Sequence, residues 1–184
     1  MDGKVVYQGK TKEGKEFEIR YPKKDDATTL CDYINALSQE RTYIRFQGEI
    51  IKVEDEVEFI NSQLEKINNN NGVLLLVVCE GEIIGCSGVE MKDKTESHEG
   101  VLGISIAKDF RGEGIGKKFM EAILKEAQDN IPQLRLITLG VFGDNDLALN
   151  MYPKFGFVEY GRLPGGSLHN GNYVDHICMY KKVR

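Results

Sequence analysis

Apolar and polar residues alternate along the chain with two different periods, which predict helices and strands in turn. In three segments apolar side chains recur every three or four residues, the spacing of a helix with one buried face. These segments begin near Asp25, Val53 and Gly114, and a short fourth helix is predicted over residues 146–154. Apolar runs bounded by turn residues predict strands. The runs cover residues 73–79, 83–89, 101–106, 134–141, 157–163 and 173–180.

The first twenty residues carry a separate signal for a hairpin. Val5–Tyr7 and Phe17–Ile19 alternate in polarity on either side of the polar turn Lys12–Lys15. No repeat or low-complexity linker divides the chain, so we expect one domain over residues 1–184, with residues 1–15 as a hairpin extension. Strands and helices in this order predict an α/β (α+β) fold with a central mixed sheet.

Composition and charge narrow the range of functions. The chain has 184 residues, of which 41% are hydrophobic, and this is enough to bury an ordinary core. The formal net charge of −5 argues against a broad electrostatic surface for nucleic acid or anionic lipid, so we expect neither nucleic acid nor membrane as a partner. Any anion must then be bound at a local site. The longest uninterrupted apolar run, Val73–Cys79, is far shorter than the ~20 residues of a membrane span.

The N-terminus and the cysteines predict a reducing compartment. Residues 1–4 lack the apolar core of a signal peptide. The four cysteines form no CxxC pair and have no histidine at ligand spacing, so we expect reduced thiols, no metal and a cytoplasmic location. A disulfide between Cys79 and Cys86, which flank a predicted hairpin turn, is the alternative.

The most informative segment lies between the strand over 101–106 and the helix that begins near Gly114. It carries glycine at 112, 114 and 116, where a missing Cβ lets the backbone turn tightly or approach another group. The first N–H groups of the helix then point outward beside the positive end of the helix dipole, which favours phosphate. A turn that only caps the helix is the structural alternative. Walker and dinucleotide-binding loops need residues that this segment lacks.

This segment resembles the signature of the GCN5-related N-acetyltransferase (GNAT) superfamily. The superfamily's Arg/Gln-x-x-Gly-x-Gly/Ala is matched by the residues from Arg111 to Gly116. The resemblance implies a mostly antiparallel sheet, acetyl-coenzyme A (acetyl-CoA) as cosubstrate and no metal. It also implies that the loop amides hold the coenzyme A diphosphate, while the preceding strand pairs with the pantetheine arm. The implied cofactor-binding residues of the two elements are Ile104, Ser105, Ile106, Arg111, Gly112, Glu113, Gly114, Ile115, Gly116 and Lys117.

A second segment, from Asn145 to Phe157, is similar to the superfamily's Asn-x-x-Ala-x-x-x-Tyr-x-x-x-Gly-Phe pattern. Spacing alone predicts Asn145 as a helix N-cap and places Ala148 and Tyr152 on one helix face. The resemblance implies that Tyr152 protonates the departing thiolate, for which a phenol with a pKa near ~10 is a suitable donor. Asn145 is implied to contact the pantetheine, with Ala148 beside it in the cofactor site. A half-buried aromatic residue is the structural alternative for Tyr152, and Pro153 predicts a shortened helix.

The general base is the missing part of the resemblance. Ribosomal-protein alanine acetyltransferases of this superfamily carry a glutamate on the strand after the long helix, where this chain has Gly140. The proton of the attacking amine must then go to another residue or through a water relay, unless the amine arrives in its neutral form. Glu99, just before the cofactor strand, is our first candidate for the catalytic base. The alternatives are His98, Asp144 and His176.

The sequence therefore predicts an acetyl-CoA-dependent N-acetyltransferase in which a primary amine attacks the thioester directly. The acceptor is expected to be a small molecule or a peptide or protein N-terminus, bound by the N-terminal helices and the last hairpin. Acidic residues at 49, 54, 55, 56 and 58 favour a cationic acceptor. Exposed strands at the edges of such a sheet often pair between two copies of a chain, so a homodimer is kept as a hypothesis. The alternatives are a non-catalytic acyl-CoA-binding sensor or regulatory module of the same fold, and a structural domain with an empty loop.

Overall fold

The fold is built on one mixed sheet. The computed structural model describes residues 1–183, and within them eight strands form the sheet and four α-helices pack on it. The strands are β1 (Val5–Lys10), β2 (Glu16–Arg20), β3 (Gly72–Cys79), β4 (Glu82–Met91), β5 (Glu99–Ile106), β6 (Leu136–Phe142), β7 (Val158–His169) and β8 (Asn172–Lys182). The helices are α1 (Ala27–Glu40), α2 (Val53–Asn68), α3 (Ile115–Asn130) and α4 (Asp146–Met151).

The topology of the sheet confirms the predicted fold class. The strand order is β1-β2-β3-β4-β5-β6-β8-β7. Among the neighbouring strands in the described chain, β5 and β6 alone are parallel, and the other pairs are antiparallel. β1 and β2 form the expected N-terminal hairpin, and β2 joins it to β3. β1 and β7 are the two edge strands of the sheet. The homodimer through such edges stays a prediction.

Apolar side chains divide between the two faces of the sheet. Phe119 and Ile123 of α3 are buried on one face, where residues of α4 also pack. Leu30 of α1 and Ile60 of α2 are buried on the other face around Leu76. We refer to these as the α3 face and the α1 face. Since burying one large apolar side chain contributes roughly 1.5–3 kcal/mol, the two clusters hold the helices on opposite sides of the strands.

The parallel pair opens in the middle of the sheet. β5 and β6 are paired over three residues each, Glu99–Val101 with Leu136–Thr138. Beyond these, residues 102–106 of β5 keep their partner in β4, and residues 139–142 of β6 keep theirs in β8. The facing edges of the two segments therefore have no strand partner within residues 1–183. We call this gap, which lies toward the carboxyl ends of both strands, the β5–β6 opening.

The observed boundaries differ from the predicted ones mainly in the last hairpin. β7 is longer than predicted because it continues through residues 164–166, and β8 begins one residue earlier and ends two residues later than predicted. Its register with β8 shifts between Leu163 and Ser167, so the Pro-Gly-Gly residues are accommodated as an irregularity of the strand. The shortening of the fourth helix at Pro153 is confirmed, since α4 ends at Met151 and a 3₁₀ turn follows.

Candidate active site

The loop between β5 and α3 presents bare backbone next to the β5–β6 opening. Gly112 and Gly114 have φ angles of +80° and +84°, in the left-handed region that side chains rarely adopt. A Cβ on either glycine would meet no atom within 4 Å, so the space above them is open. Gly114 is the N-cap of α3, and the N–H groups of the first turn, which begins at Ile115, lack partners within the helix. The loop is therefore a surface of backbone donors suited to an anion.

The Arg111 side chain fixes the position of this loop. Its Nε donates to the carbonyl of Ile106 at 2.9 Å, which ties the loop to the end of β5. Its guanidinium forms a bidentate ion pair with Glu40 at the end of α1, with Nη2 3.0 Å from Oε2. Because both carboxylate oxygens face the guanidinium, its charge is already neutralised. The cofactor-binding role of Arg111 stays a prediction, and these contacts connect its side chain to the protein itself.

The N-terminal hairpin reaches the same loop, which local sequence patterns do not reveal. The Lys12 ammonium donates to the carbonyl of Gly112, and the Lys12 backbone N–H donates to Glu113 Oε2 at 2.8 Å. The first contact joins residues 100 positions apart, so no periodicity or short motif signals it. The carboxylate of Glu113 is thus turned toward the hairpin. Lys12 adds positive charge beside the bare glycines.

Two lysines follow the loop at the start of α3 and differ in their contacts. Lys118 donates to Glu121 at 3.0 Å and lies over the ring of Tyr7, 5.9 Å from its centroid. Lys117 is exposed and has no ion-pair partner within residues 1–183. Lys117 is therefore the cation of the two that remains available to an anion at the loop.

The residues of β5 that were predicted to bind the pantetheine line the β5–β6 opening. Ile104, Ser105 and Ile106 pair with β4 along one edge and face the opening with the other. The Ser105 hydroxyl is engaged with Tyr33 of α1, with 2.9 Å between the two oxygens. The backbone of this segment is therefore what it can offer to an extended ligand. A Cβ on Gly116 would lie 3.5 Å from Ile106 Cδ1, so α3 begins close against the end of β5.

The short helix α4 is capped as the sequence predicted. Asn145 Oδ1 accepts a hydrogen bond from the Ala148 backbone N–H at 3.1 Å. This bond uses one acceptor of the side chain and leaves its amide donors for another partner. Ala148 packs on the apolar cluster of the α3 face. Both residues lie on the loop and helix that directly follow the open end of β6.

Tyr152 combines a buried ring with an unengaged hydroxyl. It is 7% exposed, and its ring packs edge-on against Phe157, with 5.7 Å between the centroids. The hydroxyl has no hydrogen-bond partner within residues 1–183. Burial raises the pKa of Tyr152 to about 12, because the phenolate would be poorly solvated there. The side chain therefore keeps its proton at any ordinary pH.

Glu99 lies at the closed end of the parallel pair. It pairs with Leu136 in the ladder, and its Oε1 is 2.7 Å from both Lys92 Nζ and Thr138 Oγ1. Burial alone would raise the pKa of Glu99, but the hydrogen bonds from Lys92 and Thr138 hold it below its usual range. The structure therefore shows an ionised carboxylate with two donors on one oxygen. Its assignment as the catalytic base stays a prediction.

The other candidate bases occupy different ends of the sheet. His98 is exposed next to Glu99, at the closed end. Asp144 lies beyond the open end of β6 and accepts from His169 Nδ1 at 2.7 Å. His169 is buried, and its ring stacks 4.4 Å from that of Tyr43, between α1 and α2. This contact brings together two of the aromatic side chains near the proposed acceptor region.

The fourth candidate, His176, lies directly over Gly140. A Cβ on Gly140 would be 2.6 Å from both Cε1 and Nε2 of the imidazole. The His176 Nδ1 is 3.1 Å from the hydroxyl of Ser167 on β7. The position at which the sequence resemblance lacks a side chain is therefore covered by a histidine from the neighbouring strand.

Several other sites are absent from the described residues. No group of three or more His, Cys, Asp and Glu residues in the range 1–183 could hold a metal ion. The four cysteines are free, so the alternative disulfide between Cys79 and Cys86 is not formed. None of the helices in the described chain is long and apolar enough to span a bilayer.

An opened mixed sheet, a glycine loop at a helix N-terminus and a buried tyrosine beside them are the features expected of an acetyltransferase fold. The family model described as the acetyltransferase (GNAT) family matches residues 32–157, more than half of the sequence. The chain belongs to this family, which confirms the resemblance inferred from its two motifs.

Individual relatives agree with this assignment. The chain is 30% identical to the L-amino acid N-acetyltransferase AaaT of Escherichia coli (strain K12) over 117 residues, which are 62% of this chain and 72% of that protein. Its fold is similar to that of a GNAT-family acetyltransferase from Streptococcus pneumoniae, with a TM-score of 0.83 and 27% identity over 91% of this chain and 99% of that one. It is also similar in fold to the microcin C7 self-immunity acetyltransferase MccE, solved with acetyl-CoA and AMP, with a TM-score of 0.71 and 19% identity over 90% and 92% of the two chains.

Proposed function

We propose that this protein transfers the acetyl group of acetyl-CoA to a primary amine. The observation that carries the proposal is the continuity of two features: the unpaired inner edge of β5 leads, through one 3₁₀ turn at Lys108–Phe110, into the bare glycine loop. An extended chain with an anionic end, such as pantetheine joined to a diphosphate, fits such a path because it needs backbone partners first and an anion site next. The MccE structure with acetyl-CoA supports the choice of ligand.

The anionic part of the ligand would lie at the N-terminus of α3. The backbone N–H groups around Gly114 and Gly116 would bind the diphosphate, and α3, with 16 residues, contributes its dipole. Lys117 and Lys12 would supply the nearby positive charges. These cations are local, which is consistent with a site-specific anion in a chain of net charge −5.

The chemistry requires two proton transfers. The amine nitrogen attacks the carbonyl carbon of the thioester, the carbon–sulfur bond breaks, and the sulfur leaves as a thiolate. Tyr152 would give its phenolic proton to that thiolate, and its raised pKa keeps the proton present at the working pH. The proton lost by the amine must go to a base, for which Glu99 is the sequence-based proposal. No covalent enzyme intermediate is required.

The acceptor would enter from the α1 face. The first turn of α2 carries two exposed acidic residues, Glu54 and Asp55, whereas Glu56 is buried. Tyr43 and His169 pack against Phe142 at the end of β6. A negative rim attracts a cationic substrate. The similarity to an L-amino acid N-acetyltransferase supports a small amine, and a peptide N-terminus presents the same group.

Screening amines with acetyl-CoA, while following the release of free thiol and the mass of the acceptor, tests this function. We expect at least one amine to gain a single acetyl group in step with thiol release. Binding of acetyl-CoA without transfer to any amine or peptide N-terminus would contradict catalysis and favour the sensor function. No binding at millimolar ligand would contradict both.

The contact between the N-terminal hairpin and the glycine loop makes a separate prediction. Lys12→Gln removes a cation beside the proposed phosphate site, and we expect the Kd for acetyl-CoA to rise about 10-fold, which corresponds to ~1.4 kcal/mol for one lost charge contact. Lys10→Gln is the matched control, because Lys10 lies on the same hairpin but pairs with Glu16. Calorimetric titration of both variants measures the difference. Equal affinities for the two variants would show that Lys12 does not contribute to binding.

A further inference from the structure

The imidazole of His176 occupies the space that a side chain at position 140 would fill. Gly140 lies opposite Cys178 in the β6–β8 ladder, and Phe142 lies opposite His176. The His176 side chain therefore leans along the sheet, from the level of Phe142 to the level of Gly140. At 2.6 Å from the ring, a Cβ at position 140 would collide with it. The glycine is thus the residue that lets His176 adopt this position.

On the basis of the acetyltransferase function proposed above, we propose that His176 is the general base that accepts the proton of the attacking amine. Gly140 lies two residues beyond Thr138, the last residue of β6 that pairs with β5. The edge of the imidazole that carries Nε2 therefore lies where the β5–β6 opening begins. The thioester end of a ligand that runs from the glycine loop along β5 would reach the same region.

His176 and Tyr152 belong to opposite faces of the sheet. Leu139 and Val141 are buried in the apolar cluster of the α3 face, which also contains Tyr152. Side chains alternate along a strand, so Gly140 and the ring above it lie on the α1 face. A base on the acceptor side and an acid on the other side suit a reaction in which an amine approaches and a thiolate leaves.

The contact of His176 with Ser167 uses Nδ1 and leaves Nε2 available to act as a base. When the His176 Nδ1–H donates to the Ser167 hydroxyl, the lone pair of Nε2 is free to accept a proton. Nε2 has no hydrogen-bond partner within residues 1–183. Ser167 is thereby a positioning residue, since its hydroxyl holds the ring through Nδ1 in either tautomer.

The surroundings of the imidazole carry little charge. Gly140 and Phe142 face it from β6, and Leu163, Gly166 and Ser167 face it from β7; none of the five is charged. Asp175, its neighbour along β8, is paired with Arg162 at 3.0 Å.

Glu99 differs from His176 in both contacts and position. Its Oε1 receives two donors, and it lies at the closed end of the pair, opposite Leu136. Gly140 is four residues further along β6, or about 13 Å at the rise of a strand. The two candidates are therefore separable by experiment.

The proposed step balances without a co-reactant. The amine nitrogen forms its bond to the thioester carbonyl carbon, and His176 Nε2 takes one proton from that nitrogen. The carbon–sulfur bond then breaks, and Tyr152 protonates the sulfur. Afterwards His176 loses its proton to water and Tyr152 regains one, so the enzyme returns to its initial state.

The test is the pH dependence of kcat/KM for the wild type, His176→Gln and Glu99→Gln, measured with two amines of different basicity. A base must be unprotonated to accept a proton, so the wild-type rate falls as the pH decreases. The part of the pH profile that reports an enzyme group stays at the same pH when the amine is exchanged, and we call it the fixed limb. The part that reports the amine itself moves with the basicity of the amine. We expect His176→Gln to lose the fixed limb and about 10²-fold or more in kcat, while the Kd for acetyl-CoA changes little. Loss of the fixed limb in Glu99→Gln, with the limb retained in His176→Gln, would instead assign the base to Glu99 and overturn the role of His176.

Other outcomes separate this inference from the proposed function. An active wild type whose fixed limb and kcat survive His176→Gln overturns the role of His176 alone. A wild type that binds acetyl-CoA but acetylates no amine overturns both. Should His176→Gln fail to bind acetyl-CoA, Gly140→Ala displaces the ring and leaves the imidazole in the chain. That variant is expected to lose kcat at unchanged cofactor affinity, and full activity in it would contradict the proposal.

Discussion

Replacing Tyr152 with phenylalanine is expected to lower kcat by about 10²- to 10⁴-fold, the usual contribution of a positioned general acid. The ring fills the apolar cluster and phenylalanine keeps it, while the hydroxyl that is removed has no partner within residues 1–183. Folding and the Kd for acetyl-CoA should therefore change little. Steady-state kinetics together with calorimetric titration measure the two effects separately.

The pH profile adds a second readout for Tyr152. Because burial raises its pKa to about 12, the acid stays protonated through the neutral range, and no loss of activity at moderately alkaline pH should come from this residue. Tyr160→Phe is the control, since Tyr160 lies on β7 and is 60% exposed. If Tyr152→Phe retained wild-type turnover, as the control is expected to, Tyr152 would not be the acid.

Substituting valine for Gly114 is expected to weaken acetyl-CoA binding by ~100-fold or more, which corresponds to about 2.7 kcal/mol. The φ of +84° is unfavourable for a β-branched residue by about 1–2 kcal/mol, so the loop must rearrange or remain strained. A side chain there would also fill the open space above the backbone donors. Calorimetric titration gives the affinity, and thermal unfolding gives the cost to stability.

Gly81→Val separates strain from loss of the anion site. Gly81 has a φ of +88° and open space around its Cβ position, as Gly114 does, but it lies in the β3–β4 turn. We expect a comparable loss of thermal stability and an unchanged Kd. Similar affinities in the two variants would mean that the loop at Gly114 does not bind the cofactor.

The parts of the site that depend on local sequence could be predicted from it. The strand, glycine turn and helix around Gly114 follow from apolar spacing and from missing Cβ atoms, both of which are visible in a short window. The same holds for Asn145 as an N-cap and for the early end of α4 at Pro153. Because the motif that contains Tyr152 is also local, its place after the sixth strand and at the end of the short helix followed from the order of the elements.

The parts that depend on contacts between distant segments of the chain could not be predicted. Arg111 meets Glu40 across 71 residues, and Lys12 meets Gly112 across 100, and neither pair has a signature in the sequence. Gly140 gave the clearest lesson: it indicated a missing side chain, whereas the register of β6 with β8 places an imidazole in that space. Register is set by the whole sheet, so a histidine 36 residues away in sequence could be named as a candidate but not located.

The most direct test of the central claim is a calorimetric titration of the wild-type protein with acetyl-CoA. The β5–β6 opening and the glycine loop predict one binding site per chain, with affinity in the micromolar to millimolar range usual for enzyme substrates, ~1 μM to ~1 mM. Free coenzyme A should compete for the same site, because it carries the same diphosphate and pantetheine. The absence of saturable binding at millimolar acetyl-CoA would contradict the account.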